Sequence, residues 1–189
     1  MPVCLYLIRH GETAWSLSGQ HTSRTEMTLT AKGEAAARKL ATPLAAVKFS
    51  RVFTSPRVRA QQTCALAGLA LAAQIEPDLA EWDYGDYEGR RSAEIREQRP
   101  EWDIYRDGCP QGESPEEITA RADRLIRMLR ALDGNIALFS HGHFGRVLAV
   151  RWIGLPVDQG RHFGLNTASL NLLGYESSQT PAILLWNAT

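Results

Sequence analysis

An unbroken apolar run of strand length, Val3 to Ile8, opens the chain and limits the folds that are open to it. A strand with no alternating polar residues has to be covered on both faces, which is typical of a parallel sheet packed between helices. The run stops at Arg9-His10-Gly11. Apolar positions then recur at helical spacing from Thr30 to Val47, and Arg51 to Thr54 reads as a second strand. The sequence therefore predicts a β-α-β beginning.

Helix start signals and further apolar runs continue this alternation. Ser55-Pro56 predicts an N-cap followed by proline at the first helical position, with the helix ending at Gly68. Ser114-Pro115-Glu116-Glu117 is a capping box that predicts a helix reaching Gly134. The other predicted elements are a buried strand, a helix and two closing strands: Asn135 to Ser140, Val147 to Ile153, Ala168 to Leu173 and Ile183 to Trp186. This pattern predicts an α/β protein with three α/β/α layers and a mostly parallel sheet.

The stretch from Trp82 to Gly112 interrupts the alternation, because it is rich in aromatic, charged and glycine residues and has no clear apolar face outside Ile95. We predict that residues 82–112 form a small lid or cap segment within a single domain spanning residues 1–189. The aromatic side chains are candidates for stacking on a sugar, but anchoring a thin insertion is the commoner use of such rings. They are Trp82, Tyr84, Tyr87, Trp102 and Tyr105.

Charge and cysteine content indicate which classes of binding partner and which cellular compartment to expect. Basic and acidic residues number 21 each, so the chain lacks the positive balance that marks many nucleic-acid binders, and we predict no nucleic-acid partner. Most of the basic residues are arginines, whose forked guanidinium suits the capture of phosphate or carboxylate, so a small anion is the expected partner. The three cysteines are far apart and form no C-x-x-C pair, which favours reduced thiols and a cytoplasmic location. No segment has the pattern of a signal peptide or a membrane span, so no membrane partner is expected.

Three of the predicted strands end in residues suited to binding an anion. The first delivers Arg9-His10-Gly11, the second Ser55-Pro56 with Arg57 and Arg59 just beyond it, and the third Ser140-His141-Gly142. Ligands of open α/β sheets bind at the carboxyl ends of strands, so these groups converge if the strands are neighbours. Glycine after each histidine would let the backbone approach a ligand closely. Two imidazoles, guanidinium groups and a helix N-terminus together predict a phosphoryl site.

The chemistry expected there is attack on phosphorus by a neutral histidine. One ring nitrogen can act as the nucleophile while the other donates its proton to a fixed acceptor. The leaving oxygen then needs a proton donor, and Glu81 is the best placed acid in the acidic stretch that runs to Gly89. A metal hydrolase that uses His141 and His143 is a different interpretation, but no companion carboxylate has zinc spacing.

The remaining arginines near the predicted site carry less specific signals. Arg57 is expected to be solvated, because it lies on a different helix face from Arg59. Arg90, Arg91 and Arg106 are candidates for binding a second anionic group of the substrate, or for keeping the lid soluble. The two closing strands would either complete the sheet or pair with a second subunit, so a homo-oligomer stays open.

Five motifs stand in the order in which they occur in one known family. They are Leu7-Ile8-Arg9-His10-Gly11-Glu12-Thr13, Leu29-Thr30-Ala31-Lys32-Gly33, Thr54-Ser55-Pro56 through Arg59-Ala60 to Thr63, Leu79-Ala80-Glu81 through Gly85 to Glu88-Gly89, and Ser140-His141-Gly142. With these motifs the chain resembles the histidine phosphatase superfamily, also called phosphoglycerate mutase-like, over most of its length. The segment His141-Gly142-His143-Phe144-Gly145-Arg146 resembles a branch with sugar-phosphate phosphatases such as sedoheptulose-bisphosphatase-like enzymes.

The resemblance implies a role for each matching residue. His10 would be the phosphorylated nucleophile, Arg9, Arg59 and His141 would form the phosphate pocket, and Glu81 would be the proton donor and later the base for water. Further contacts to phosphate or substrate would come from Ser16, Thr22, Ser23 and Gly142. Ser16 departs from the family, where asparagine is common at this position.

The activity that follows is metal-independent hydrolysis of a small sugar or glycerate phosphate through phosphohistidine, with no cofactor. A cofactor-dependent phosphoglycerate mutase is the alternative within the family, although such mutases resemble longer chains with extra covering segments. A noncatalytic protein that binds a phosphorylated ligand is a further alternative. Retention of Glu81 together with both histidines favours an active enzyme.

Overall fold

A six-stranded sheet in the order β3-β2-β4-β1-β5-β6 runs through the middle of the protein. The computed structural model describes residues 2–177 and 180–189. The first four strands of that order are parallel, and β5 and β6 add an antiparallel edge. The strands are β1 (Cys4–Arg9), β2 (Phe49–Thr54), β3 (Ala73–Ile75), β4 (Asn135–Ser140), β5 (Leu170–Tyr175) and β6 (Pro181–Ala188). The mostly parallel sheet is confirmed, and the two closing strands complete one of its edges.

Helices cover both faces of the sheet. One apolar core packs α7 and α8 against Leu5 and Leu7 of β1, and a second packs α3 and α4 against Ile8. The helices are α1 (Ala14–Ser18), α2 (Ala31–Lys39), α3 (Ala41–Ala45), α4 (Val58–Leu66), α5 (Ser92–Gln98), α6 (Ile104–Asp107), α7 (Pro115–Arg130) and α8 (Gly142–Trp152), with 3₁₀ turns at Ala70–Ala72, Pro77–Leu79, Gly85–Tyr87 and Val157–His162. The predicted three-layer α/β/α fold is therefore confirmed. No helix in the described part of the chain is long and apolar enough to cross a membrane.

The carboxyl ends of β1, β4 and β2 lie side by side. β1 pairs with β4 in parallel register up to Arg9 opposite Ser140. β2 flanks the other side of β4 and ends with Thr54 opposite Phe139. The loops that follow these three strands therefore leave from one edge of the sheet, as the sequence predicted.

The helix after β2 begins later than the sequence predicted. Ser55 is not its N-cap, because α4 starts at Val58. The Ser55 amide donates to the carbonyl of Phe139, which continues the ladder of the sheet by one residue. The Ser55 hydroxyl lies 2.7 Å from Nε2 of His141. The Ser55 hydroxyl also accepts from the amide of Arg57 at 3.3 Å, but Arg57 and not Ser55 is the N-cap, so the prediction from Ser55-Pro56 was wrong.

The helical region from Thr30 to Val47 is two helices and not one. α2 ends at Lys39 and α3 continues as a separate short helix. Pro43 has no N–H to donate to the carbonyl of Lys39, and its ring clashes with that carbonyl in a regular helix. The apolar spacing that suggested one helix is kept because both pieces pack on the same core.

The two C-terminal helices differ in how far the sequence determined their start. Ser114 caps α7 as predicted, with its hydroxyl accepting from the amide of Glu117 and the Glu117 carboxylate accepting from the amide of Ser114. α8, in contrast, begins five residues before the predicted Val147, at Gly142. The carboxylate of Glu81 accepts N–H groups at its start, and a cap from so distant a segment leaves no local signal.

Residues 82–112 are packed on the domain by their aromatic side chains. All five rings named above are buried, and they belong to the same apolar core as α7 and α8. The indole Nε1 of Trp82 donates to the carbonyl of Glu113, and that of Trp102 to the carbonyl of Gly108. The anchoring role of these aromatics is confirmed, whereas the lid role of the segment stays a prediction.

Candidate active site

His10 stands at the carboxyl end of β1, next to the ends of β4 and β2. Its Nδ1 lies 2.7 Å from the carbonyl oxygen of Gly11, so Nδ1 carries the proton and Nε2 keeps its lone pair. Burial lowers the pKa of His10 well below its ordinary value of 6.5, and the charges of Arg59 and Arg9 lower it further. The imidazole is therefore neutral near pH 7, which is the form that acts as a nucleophile.

Backbone contacts fix the loop that follows His10. The Gly11 amide donates to Oγ1 of Thr63 at 2.9 Å. A Cβ atom on Gly11 would lie 2.6 Å from the carbonyl oxygen of Gly33, so this glycine allows the loop to pack on α2. The sequence suggested that Gly11 admits a ligand, and the close approach seen on the Cβ side of Gly11 is to a helix. A Cβ atom on Gly142 would instead lie 3.2 Å from the guanidinium carbon of Arg9.

Two arginines bring positive charge to His10. Arg9 precedes it on β1, and Arg59 lies fully buried in α4. The terminal nitrogens of Arg59 donate to three carbonyl groups of the loop from Thr22 to Thr25, which fixes the guanidinium. The Nε atoms of both arginines are buried without a hydrogen-bond partner. Buried unpaired N–H groups are costly, so their presence indicates a place for an anionic ligand.

His141 completes the group of donors. Its ring centroid lies 5.2 Å from that of His10, and its Nε2 contacts the hydroxyl of Ser55. Nδ1 of His141 is buried and has no partner. When the Ser55 hydroxyl donates to Nε2, Nδ1 carries the ring proton and becomes a third unpaired donor. Burial lowers the pKa of His141 well below 6.5, as do the charges around it, Arg59 first.

The carboxylate of Glu81 lies across the start of α8. Its Oε1 accepts from the amides of Trp82 and Phe144 at 2.9 and 2.8 Å, and its Oε2 accepts from the amide of His143 at 3.1 Å. Oε2 therefore has the greater remaining capacity to hold and release a proton. The side chain lines the same cavity as His10.

A cavity of about 200 Å³ is lined by His10, Arg9 and Glu81. Several residues predicted to contact phosphate or substrate line it: Arg9, Ser16, Thr22 and Gly142. The Ser16 hydroxyl also accepts from the amide of Thr13 in the capping box of α1. Ser23 lines a different cavity, because its hydroxyl donates to the carboxylate of Glu88 at 2.6 Å. Arg59 and His141 lie behind the cavity and not among its lining residues.

The arginines considered for a second anionic group are not at this cavity. Arg90 donates to the carbonyl of Glu94, and Arg106 is paired with Asp107. Arg91 is paired with Glu94. Arg57 is paired with Glu26 and also lines the second cavity.

Lining residues to which the sequence analysis gave no role include His21 and Arg146, whereas Tyr84 and His143 were considered only as a stacking ring and a metal ligand. Arg146 has a buried Nε without a partner, and no ion pair of it is observed in the described residues. It follows His143 by three positions on α8, so the two share a helix face. The predicted start at Val147 left Arg146 outside the helix, and because the start at Gly142 leaves no local signal, the sequence could not place Arg146 beside His143.

Among residues 2–177 and 180–189 there is no group of three or more His, Cys, Asp or Glu side chains that could hold a metal ion. His141 and His143, the two candidate ligands, instead contact the hydroxyls of Ser55 and Tyr84. The site is thus a neutral imidazole with a free nitrogen, four unpaired donors on Arg9, Arg59, His141 and Arg146, and one carboxylate. That set defines a phosphoryl-transfer site.

Comparison with known proteins gives the class of the chain. The family model "Histidine phosphatase superfamily (branch 1)" matches residues 5–189. The chain is 42% identical over 176 residues to a Mycobacterium tuberculosis acid phosphatase, covering 91% of this chain and 86% of the relative. It is 35% identical over 191 residues to sedoheptulose 1,7-bisphosphatase of Saccharomyces cerevisiae, covering 84% and 70%. This protein belongs to the histidine phosphatase superfamily and is a phosphatase.

Solved structures agree with this class. The structure of the open reading frame Rv3214 from Mycobacterium tuberculosis superposes with a TM-score of 0.92 at 37% identity, covering 98% of this chain and 97% of that one. The α/β/α architecture and the resemblance predicted from the five motifs are therefore confirmed.

Proposed function

We propose that this phosphatase hydrolyses monoesters of small phosphorylated metabolites without a metal ion, through phosphohistidine at Nε2 of His10. The observation that carries the proposal is the set of three buried, unpaired nitrogens near His10, on Arg9, Arg59 and His141. A phosphoryl group has the charge and the acceptor oxygens to satisfy all three. The free lone pair of His10 Nε2 supplies the nucleophile for the same group.

In the first step, Nε2 of His10 attacks phosphorus, and the ester bond to the leaving oxygen breaks. The Glu81 carboxyl transfers its proton to that oxygen from Oε2, so the product leaves as an alcohol. Arg9, Arg59 and His141 donate to the phosphoryl oxygens, whose charge is spread in the transition state.

In the second step, the Glu81 carboxylate takes a proton from water. The resulting hydroxide forms the new bond to phosphorus as the bond to Nε2 breaks. Phosphate leaves, His10 returns to its neutral form, and Glu81 is again protonated. The hydrogen bond from Nδ1 of His10 to the Gly11 carbonyl orients the ring in both steps.

The proposed substrates are sugar phosphates and related hydroxylated metabolites. Relatives with the printed names acid phosphatase and sedoheptulose 1,7-bisphosphatase support this class. The small volume of the cavity and its polar lining of His21, Tyr84, His143 and Arg146 support a compact, hydrophilic leaving group.

The remaining predictions belong to the same proposal. We infer one domain over residues 1–189, with residues 82–112 covering the site. A cytoplasmic location is supported by the three cysteines, which are all free. The free side of the edge strand β6 is available for pairing with a second copy, which keeps the homo-oligomer prediction open.

The test is phosphate release from sugar phosphates, phosphoglycerates and an aryl phosphate with excess chelator present. We expect chelator-resistant hydrolysis that is lost in His10→Ala and kept in His162→Ala, which changes an exposed histidine. Rapid quenching with labelled substrate should trap an acid-labile, alkali-stable phosphoenzyme in the wild type and in His162→Ala but not in His10→Ala.

Three outcomes would contradict the proposal. Loss of turnover with chelator would indicate a metal hydrolase. Phosphoryl exchange between phosphoglycerates without net hydrolysis would indicate a mutase. Binding of the substrates without any reaction would indicate a noncatalytic phospho-ligand protein.

A further inference from the structure

His143 occupies the part of the cavity next to the proposed acid. Its amide donates to Oε2 of Glu81, the oxygen from which the leaving group would take its proton. Its ring is surrounded by other rings, with centroids 5.8 Å from those of Tyr84 and His21 and 5.7 Å from that of Tyr105. The mechanism above gives this imidazole no role.

A hydrogen bond to Tyr84 decides which nitrogen of the His143 ring carries the proton. The hydroxyl oxygen of Tyr84 lies 2.7 Å from Nδ1 of His143. Tyr84 is buried, and no other acceptor for its O–H is observed in the described residues. Were the imidazole the donor, the O–H group would be left buried and unpaired, so the phenol donates and Nδ1 accepts.

The electrostatics agree with this direction. Burial raises the pKa of Tyr84 well above its ordinary value of 10, so the phenol keeps its proton. Burial also lowers the pKa of His143 well below 6.5, and the charges of His21, Arg146 and Arg9 lower it further. A neutral imidazole that accepts at Nδ1 carries its only proton on Nε2.

Nε2 of His143 has no hydrogen-bond partner among residues 2–177 and 180–189, and the side chain lines the cavity. The phosphoryl donors belong to Arg9, Arg59 and His141, whereas His143 stands beside the carboxylate that protonates the leaving oxygen. An N–H group in this position is placed to meet an acceptor oxygen close to the scissile ester bond.

We propose that His143 is a specificity-determining residue whose Nε2–H donates to a hydroxyl oxygen of the leaving group, and that Tyr84 is the positioning residue that holds this tautomer. This inference rests on the proposed function and specifies its substrate class. Polyol phosphates, which carry a hydroxyl next to the ester, are favoured over aryl phosphates, which leave the donor unpaired.

Tyr84→Phe is the discriminating variant, because it keeps the ring that stacks on His21 at 4.6 Å and removes the O–H donor. For glycerol phosphate and a hexose phosphate we expect KM to rise about twofold in Tyr84→Phe, which leaves a mixture of tautomers, and about fivefold to tenfold in His143→Leu, which removes one neutral hydrogen bond. For an aryl phosphate the KM of Tyr84→Phe should equal that of the wild type.

Tyr87→Phe is the matched control. This phenol is buried, accepts from Arg99 and does not line the cavity, so its removal should affect both substrates alike. His143→Gln keeps an N–H donor and should retain more discrimination between the two substrate classes than His143→Leu.

Nitrogen-15 NMR of the imidazoles gives a readout that does not depend on activity. The wild type should show His143 with a proton on Nε2 and a bare Nδ1, and Tyr84→Phe should show a mixture of tautomers. A wild-type ring protonated on Nδ1 would overturn the inference, as would equal losses for polyol and aryl phosphates. If His10→Ala kept wild-type turnover, the proposed function would fail, whereas the NMR result would stand.

Discussion

Replacing Gly33 by alanine should disable the active site from a distance. Gly33 lies in α2, and a Cβ atom there would stand 2.2 Å from the carbonyl oxygen and 2.7 Å from the amide nitrogen of Glu12. Glu12 is two residues beyond His10 in the same loop, and its carbonyl is held by the amide of Thr30 at 2.8 Å. Backbone atoms therefore have to separate by about 1 Å before an ordinary contact is restored.

Two effects of this substitution oppose each other. Alanine in place of a helical glycine stabilises a helix by up to about 1 kcal/mol. Forcing extra volume into a packed site costs about 1–3 kcal/mol, so a modest net loss of stability is expected. A displacement of about 1 Å at the nucleophile lowers the rate by on the order of 100-fold. We therefore expect kcat to fall far more than the thermal midpoint does.

The assay is steady-state hydrolysis of an aryl phosphate together with thermal unfolding followed by circular dichroism. Gly164→Ala is the control, because a Cβ atom there has no neighbour within 4 Å. This variant should behave as the wild type in both measurements. Wild-type kcat in Gly33→Ala would refute the view that contact with α2 positions the nucleophile.

Two further predictions concern the acid and the buried histidines. Glu81→Gln should slow a sugar phosphate by about 10²–10⁴-fold and an aryl phosphate far less, because only the poor leaving group needs a proton; equal slowing would remove Glu81 from that role. Burial lowers the pKa of His21 from 6.5 to about 4, so the unfolded chain takes up the proton first as the pH falls. The free energy of unfolding should thus drop between pH 7 and pH 5, with His21 contributing about 2 kcal/mol. Urea titrations at both pH values should show this contribution missing in His21→Gln and present in His162→Gln, and an unchanged pH dependence in both would contradict it.

Local sequence was sufficient for the elements whose signals lie within a few residues. The apolar run at Val3 to Ile8 specified a strand covered on both faces, and the capping box at Ser114 specified the start of α7. The His-Gly pairs after β1 and β4 specified where chemistry would be sought. These features depend on periodicity and on hydrogen bonds between near neighbours, which the sequence displays directly.

Non-local contacts decided the rest. Glu81 caps α8 from a segment some sixty positions away. Ser55, which the sequence predicted as an N-cap, contacts His141. Secondary-structure propensity describes the conformation that a segment prefers in isolation. These polar groups are stabilised more by a buried hydrogen-bond partner from a distant segment than by a local one. The helix starts near the site were therefore misplaced, whereas the break between α2 and α3 follows from Pro43, a local signal.

The sequence by itself determined the α/β class and the strand ends that carry His10 and His141, and it singled out Glu81 as the proposed acid. Only the tertiary structure brought His143 and Arg146 into the cavity and moved Ser23 out of it. The reason is physical: a strand or a helix follows from the spacing of apolar residues, but the direction in which a polar side chain points depends on which partners the folded chain leaves unpaired.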